Sequence, residues 1–219
     1  MLRALHVACL LIFLPPVVHS QTNQGQATVT FTLDFPGSQP GHYSVQVQAD
    51  GKARYESSGR PVPESDESDN FDYEFAISPA TREKIFELSA KAGYFQKDLD
   101  SHRKNMAFTG KKTLGYKDAQ RSGDSTYNYS PNLAVQELTN LFQGLSATLE
   151  LGHRLEYSLR YQKLALAEEL KRTEESARLS PPVEIQAIAP ILQKIIGDAS
   201  VMNVTRARAQ RLLERRAGR

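Results

Sequence analysis

The chain has 219 residues, a formal net charge of +2, 40% hydrophobic residues, one cysteine and no tryptophan. This length and hydrophobicity are sufficient for a packed core, which argues against an intrinsically disordered chain. One cysteine cannot form a disulfide framework, and 13 glycines are too few for collagen. A near-neutral charge on a chain expected to be exported does not favour a nucleic-acid partner.

The first twenty residues have the three parts of a secretory signal peptide. Arg3 lies in a short positive region, residues 7–14 are apolar, and small residues precede a cleavage point between Ser20 and Gln21. An uncleaved anchor is the alternative, but the apolar run has about half of the roughly 20 residues that a membrane-spanning helix needs. We therefore expect a periplasmic or secreted mature chain with no transmembrane span and no cysteine.

Apolar and polar residues alternate in the front half of the chain, which indicates strands with one buried face. Asp50-Gly51 is a strong hairpin signal because glycine tolerates a positive φ. Two weaker strands are predicted around a turn at Ser122-Gly123. The predicted strands are 29–35, 43–49, the return from Asp50-Gly51 through Ala53 and Tyr55, 71–77, and stretches near 106–117 and 124–129.

The back half is rich in straight-chain helix formers, and three Ser-Pro pairs, at 78, 130 and 180, have the character of helix starts. The first predicted helix covers about 79–92 and ends at Gly93. The second runs from Pro131 toward Ala177, with Gly144 and Gly152 as weak points and its second half leaving the sheet. Two apolar stretches, 185–196 and 201–213, predict a final pair of helices around a turn at Gly197-Asp198.

These elements predict an α+β protein. An antiparallel sheet packs with one short helix and one long helix, and a helical C-terminal extension follows. We divide the chain into a signal peptide (1–20), the sheet with its helices (21–150) and the helical extension (151–219). The polar, acidic segment 59–70 is predicted to be an exposed loop.

No familiar catalytic or metal-binding pattern occurs in the sequence. The mature histidines His42, His102 and His153 fall on different predicted elements, and neither a His-Glu-x-x-His nor a Gly-x-Ser-x-Gly motif is present. We therefore assign no catalytic residue, no metal ligand and no cofactor.

Two surfaces are candidates for binding a partner. The first is a predicted hairpin that mixes cations with tyrosines, the residue types that anchor interfaces. The second is an arginine-rich C-terminal helix suited to an anionic surface polymer or an acidic protein. The candidate interface residues are Lys111, Lys112, Tyr116, Tyr127 and Tyr129 on the hairpin, and Arg206, Arg208, Arg211 and Arg215 on the tail.

Several segments resemble an uncharacterised family of exported bacterial proteins. They are Gly41–Val45 with Asp50-Gly51, Ile85–Leu88 with Tyr94-Phe95, Gly110–Leu114, Leu155–Leu170 and Ile188–Leu213. The resemblance covers most of the mature chain and implies a periplasmic or secreted location. It implies no activity.

The leading hypothesis is a non-enzymatic envelope protein that binds another protein or a surface polymer. One alternative is an envelope hydrolase of an unrecognised type. The other is an inhibitor of an exported enzyme that uses the Lys112 and Tyr127 hairpin as its contact surface.

Overall fold

The structure is a computed structural model, and it describes residues 26–59 and 69–215. The predicted signal peptide, its cleavage point and residues 60–68 of the predicted acidic loop lie outside these ranges. The strands are β1 (Thr28–Asp34), β2 (His42–Gln48), β3 (Lys52–Gly59), β4 (Asp69–Ala76), β5 (Lys111–Lys117) and β6 (Ser122–Tyr127). The helices are α1 (Pro79–Lys91), α2 (Leu133–Tyr161), α3 (Lys163–Ser176), α4 (Ala189–Gly197) and α5 (Asn203–Glu214).

The six strands form one antiparallel sheet in the order β4-β3-β2-β1-β5-β6. This sheet, with its helices and helical C-terminal region, confirms the predicted α+β class. The alternation in β1 buries Val29, Phe31 and Leu33 on the face that the helices cover. The Phe31 ring stacks on that of Phe142 in α2, with centroids 5.2 Å apart, so the core lies between the central strand and this helix.

The hairpin predicted at Asp50-Gly51 is confirmed. Gly51 has φ +93°, and the amide of Lys52 donates a 2.9 Å hydrogen bond to the Asp50 carboxylate. The extended pairing of β3 with β4 corrects the ends of the predicted acidic loop. Gly59 is paired with Asp69 inside the sheet.

The turn predicted at Ser122-Gly123 is wrong. The chain reverses at 118–121, where the Asp118 amide donates to the Arg121 carbonyl at 2.8 Å. Gly123 lies within β6, so its role is not to form a turn. A Cβ atom at this position would lie 2.5 Å from the carbonyl oxygen of Tyr94, so the glycine permits a close backbone approach.

One of the three predicted Ser-Pro helix starts is confirmed. The Ser78 hydroxyl accepts a hydrogen bond from the Thr81 amide and caps α1. Helix α2 is capped by Asn132 rather than Ser130. Ser180 begins no helix, because the chain stays irregular until a short 3-10 turn at Ile185–Ile188 that leads into α4.

The prediction of one long helix from Pro131 toward Ala177 is wrong, because the helix breaks at Gln162, where φ is −143°. Arg154 and Glu169 form an ion pair at 2.8 Å, although a continuous helix would separate them by about 22 Å. Helix α3 therefore turns back along α2. This reversal buries Leu166 and Leu170, which a helix projecting from the sheet would leave in water.

The predicted C-terminal helical pair is confirmed as α4 and α5. Helix α4 packs on α2, α5 packs on α3 and α4, and the predicted boundary at 150 falls within α2 itself. Gly152 allows the close packing, since a Cβ atom there would lie 2.5 Å from Cγ2 of Ile188. Among the described helices, none has the length and apolarity to cross a membrane.

Candidate functional site: a polar groove along α2

One face of α2 buries apolar side chains against the sheet, and the next face carries polar residues that form a groove. We call this the α2 groove. It is bounded by the sheet ends and by α3, and its six helical positions span 19 residues, or about 27 Å of helix. The six positions are Gln136, Asn140, Gln143, Ala147, Glu150 and Arg154.

Three pockets open along the groove and share lining residues. The hairpin pocket, of about 350 Å³, lies beside the ends of β5 and β6 and shares Gln143 with the next pocket. The central pocket, of about 280 Å³, is closed by Pro40 of the β1–β2 loop. The α3 pocket, of about 500 Å³, shares Ala147 with the central one. Shared walls make these pockets one continuous surface.

Lys112 lies in the wall of the hairpin pocket with only 4% of its surface exposed. Its ammonium group donates to the carbonyls of Thr109, Gly110 and Asn128 at 3.0–3.2 Å, and to the Thr109 hydroxyl at 2.9 Å. Burial lowers the pKa of Lys112, and the nearby Asp100 carboxylate opposes that shift. These acceptors hold the cation, so Lys112 fixes the loop before β5.

The predicted hairpin surface is largely core. Tyr116 and Tyr127 are 6% and 4% exposed, and burial raises the pKa of each to about 12. Tyr127 is hydrogen-bonded to Thr139 of α2 at 2.6 Å. With Lys112 also buried, three of the five hairpin residues face the helices, and the structure leaves Lys111 exposed and Tyr129 half-buried. The inhibitor hypothesis therefore loses Lys112 and Tyr127 as surface contacts.

The floor of the central pocket is a hydrogen-bond network between the sheet and α2. The Tyr55 hydroxyl and the Ser57 hydroxyl each donate to the Glu150 carboxylate at 2.7 Å. Tyr55 is also hydrogen-bonded to Ser146 at 2.9 Å. Burial, reinforced by the Glu150 charge, raises the pKa of Tyr55, so its hydroxyl keeps its proton near neutral pH. This tyrosine therefore provides no base to activate Ser146 as a nucleophile.

Two solvent-accessible amides of the groove have no partner in the described part of the chain. The side chains of Asn140 and Gln143 make no hydrogen bond within the described ranges, whereas Gln136 donates to the Ser130 carbonyl at 2.9 Å. An amide side chain offers both donors and an acceptor, the combination that pairs with a peptide backbone. The stretch of the groove around Asn140 and Gln143 is therefore open to a polar ligand.

The predicted arginine tail is only partly a free surface. Arg211 makes two hydrogen bonds to the Glu174 carboxylate of α3, at 2.5 and 3.1 Å, and Arg208 lies 3.3 Å from the same group. Arg206 is hydrogen-bonded to Asn203, and Arg215 is half-buried. The tail and the hairpin are not brought together in one site, since Arg208 and Arg211 pack toward α3.

The histidines remain on separate elements. His42 pairs with Asp34 at 2.5 Å, His102 pairs with Asp98 at 2.6 Å, and the His153 ring stacks on Phe71. Over residues 26–59 and 69–215, no three His, Cys, Asp or Glu side chains are grouped so that they could hold a metal ion.

Comparison with known proteins adds no family to this picture. No family model matches the chain, and no curated protein matches it significantly. The groove residues were absent from the sequence-based candidates, although their spacing of three and four on a predicted helix was visible. That spacing is also typical of a solvated helix face, and only the positions of α3 and the β1–β2 loop distinguish a groove from such a face.

Proposed function

We propose that this protein is a non-enzymatic binding module of the periplasm or the extracellular space, and that the α2 groove holds an extended segment of a protein partner. The signal-like pattern of residues 1–20 supports the location. The observation that carries the binding role is the pair of amides, Asn140 and Gln143, that line a groove about 27 Å long and have no hydrogen-bond partner among the described residues.

The chemistry of the groove favours a polypeptide over a glycan. Amides and hydroxyls pair with the donors and acceptors of an extended backbone. Tyr43 and Tyr127 are about 4% exposed, so they present no open ring face for a sugar to stack on, and only Tyr129, at the hairpin end of the described groove, is half-buried. Shallow apolar patches between the polar groups, such as Ala147, leave room for small side chains.

A blocking substitution tests the proposal. Ala147 is exposed where the central and α3 pockets meet, so Ala147→Phe fills the groove without disturbing the core. Ala207→Phe is the matched control, because Ala207 is an exposed alanine of α5 that lines none of the three pockets. Tagged chains beginning at Gln21 are used to capture proteins from an envelope extract, with quantitative mass spectrometry as the readout.

The expected result is one partner captured by the wild type and by Ala207→Phe, and reduced about tenfold or more by Ala147→Phe, since a filled pocket removes the contact surface. Equal capture by all three chains would place the partner on another surface. Capture of no specific partner would remove the support for a protein-binding module.

A further inference from the structure

The α3 pocket is rich in hydrogen-bond donors that nothing in the described chain uses. Among the described residues that line it, the one carboxylate is Glu169, which is held by Arg154, whose Nε and terminal nitrogen lie 2.9 and 2.8 Å from one oxygen. Arg172 also lines the pocket, and no carboxylate of the described residues lies within ion-pair distance of its guanidinium. The charged groups lining the pocket therefore leave an excess of one positive charge.

Neutral donors accompany this arginine. The hydroxyls of Ser176 and Ser180 and the amide of Asn140 line the same pocket and form no hydrogen bonds with described residues. The hydroxyls of Thr148 and Thr173, by contrast, donate to helix carbonyls four residues earlier. The pocket thus offers a guanidinium fork, two hydroxyls and an amide to a ligand group that only accepts hydrogen bonds.

We infer that the α3 pocket binds a carboxylate of the polypeptide that occupies the α2 groove, with Arg172 as the principal contact. This inference rests on the proposed function. A carboxylate is a planar acceptor that a guanidinium binds with two parallel hydrogen bonds. It carries a single negative charge, equal to the excess charge of the pocket, whereas a phosphate monoester carries nearly two. Pro181, Pro182 and Val183 form an apolar wall for a short aliphatic side chain beside it.

The volume of the pocket, about 500 Å³, lies within the range of about 300–1,000 Å³ that small-ligand sites occupy. The test uses N-acetyl-dialanine as a probe, with its C-terminal amide and propionate as comparison ligands, and measures binding by calorimetry and by amide shifts in NMR. We expect N-acetyl-dialanine to bind saturably, with shifts at Ser176 and Ser180, and its amide to bind at least about tenfold more weakly.

Arg172→Gln should weaken N-acetyl-dialanine binding about tenfold or more, because it removes the charged fork. Arg178→Gln is the matched control, because Arg178 is an exposed arginine next to the end of the same helix that does not line the pocket. It removes the same charge and should change binding less than about twofold, since distant exposed charges are screened.

Equal binding of N-acetyl-dialanine and its amide, equal losses in the two arginine variants, or no saturable binding would overturn the inference. Propionate binding as tightly as N-acetyl-dialanine would overturn the polypeptide source and indicate a small carboxylic acid. The two proposals can fail separately. If Ala147→Phe loses a captured partner that Arg172→Gln retains, the groove is supported and the carboxylate site is contradicted. If the probe binds but no partner is captured, the carboxylate site is supported and the groove is contradicted as a protein-binding site.

Discussion

Glu184 and Ser78, 106 residues apart in sequence, are joined at the start of helix α1. One carboxylate oxygen of Glu184 accepts a 2.6 Å hydrogen bond from the Ser78 hydroxyl, and the other accepts the Ser78 amide at 3.1 Å. The Thr81 hydroxyl donates to the same carboxylate. An anion is favourable here because unpaired amides and the helix dipole make the start of a helix positive. This contact ties the helical C-terminal region to the helix that follows β4.

Glu184→Gln should lower the free energy of unfolding by about 1–3 kcal/mol. It removes the charge from a side chain that is 4% exposed and leaves an amide group that accepts fewer hydrogen bonds. Urea unfolding measures the change. Glu168→Gln, at an exposed position of α3, is the control and should stay within about 0.5 kcal/mol of the wild type. Equal effects of the two substitutions would contradict the role of this contact.

Lys112→Met should destabilise the fold by about 1–3 kcal/mol, because methionine replaces the aliphatic stem but leaves three backbone carbonyls without their donor. Lys111→Met alters the neighbouring exposed lysine of β5 and should have little effect. Urea unfolding of both variants tests the difference. A stable Lys112→Met chain with reduced partner capture would instead return this lysine to the interface.

The Glu174 cluster predicts a loss of stability in acid. Hydrogen bonds from Arg211 hold the pKa of Glu174 below its ordinary value of 4.5. A depressed carboxyl pKa stabilises the folded state fully above pH 4.5, and this contribution is lost as the pH falls through the folded-state pKa. Glu174→Gln should therefore be less stable than the wild type at pH 7, and the difference should shrink toward about pH 3. Urea unfolding at both pH values measures it, and a difference that does not change with pH would contradict the pairing.

Gly152→Ala should destabilise the protein by about 1–3 kcal/mol, although alanine is the better helix former by about 1 kcal/mol. The new methyl group would meet Cγ2 of Ile188 at 2.5 Å. Ile188→Ala removes that atom, so the cost of Gly152→Ala should be smaller in the double variant than in the wild-type background. Thermal unfolding of the four chains gives the coupling energy, and strict additivity would show that the two residues do not meet.

The fold class could be predicted because the sheet depends on local alternation. Val29, Phe31 and Leu33 show their buried face in the sequence alone. The same alternation places Lys112 in phase with the buried Leu114 and Tyr116, so the pattern predicts that Lys112 is buried. The charged lysine side chain favours exposure, and the two indications conflict. The interface prediction gave more weight to the charge of Lys112 than to its place in the alternating pattern.

The helix break at Gln162 had no local signal, because neither glycine nor proline occurs there. It is stabilised by contacts between distant residues. Arg154 pairs with Glu169, and Lys163 pairs with Asp198 at 3.2 Å, which places the α2–α3 junction beside the α4–α5 turn. The α3 wall of the α2 groove exists only because α3 turns back, so a sequence that predicts one straight helix cannot reveal it.

Site-specific photo-cross-linking from within the α2 groove shows directly whether a partner lies there. A benzophenone side chain replaces Asn140, which lines both the hairpin and the α3 pockets, or Gln46, which is exposed on the opposite face of the sheet. Both chains are irradiated in an envelope extract. We expect a discrete cross-linked partner from position 140, absent from position 46 and competed by unlabelled wild-type protein. Cross-links from position 46 alone would contradict the assignment of the α2 groove as the binding site.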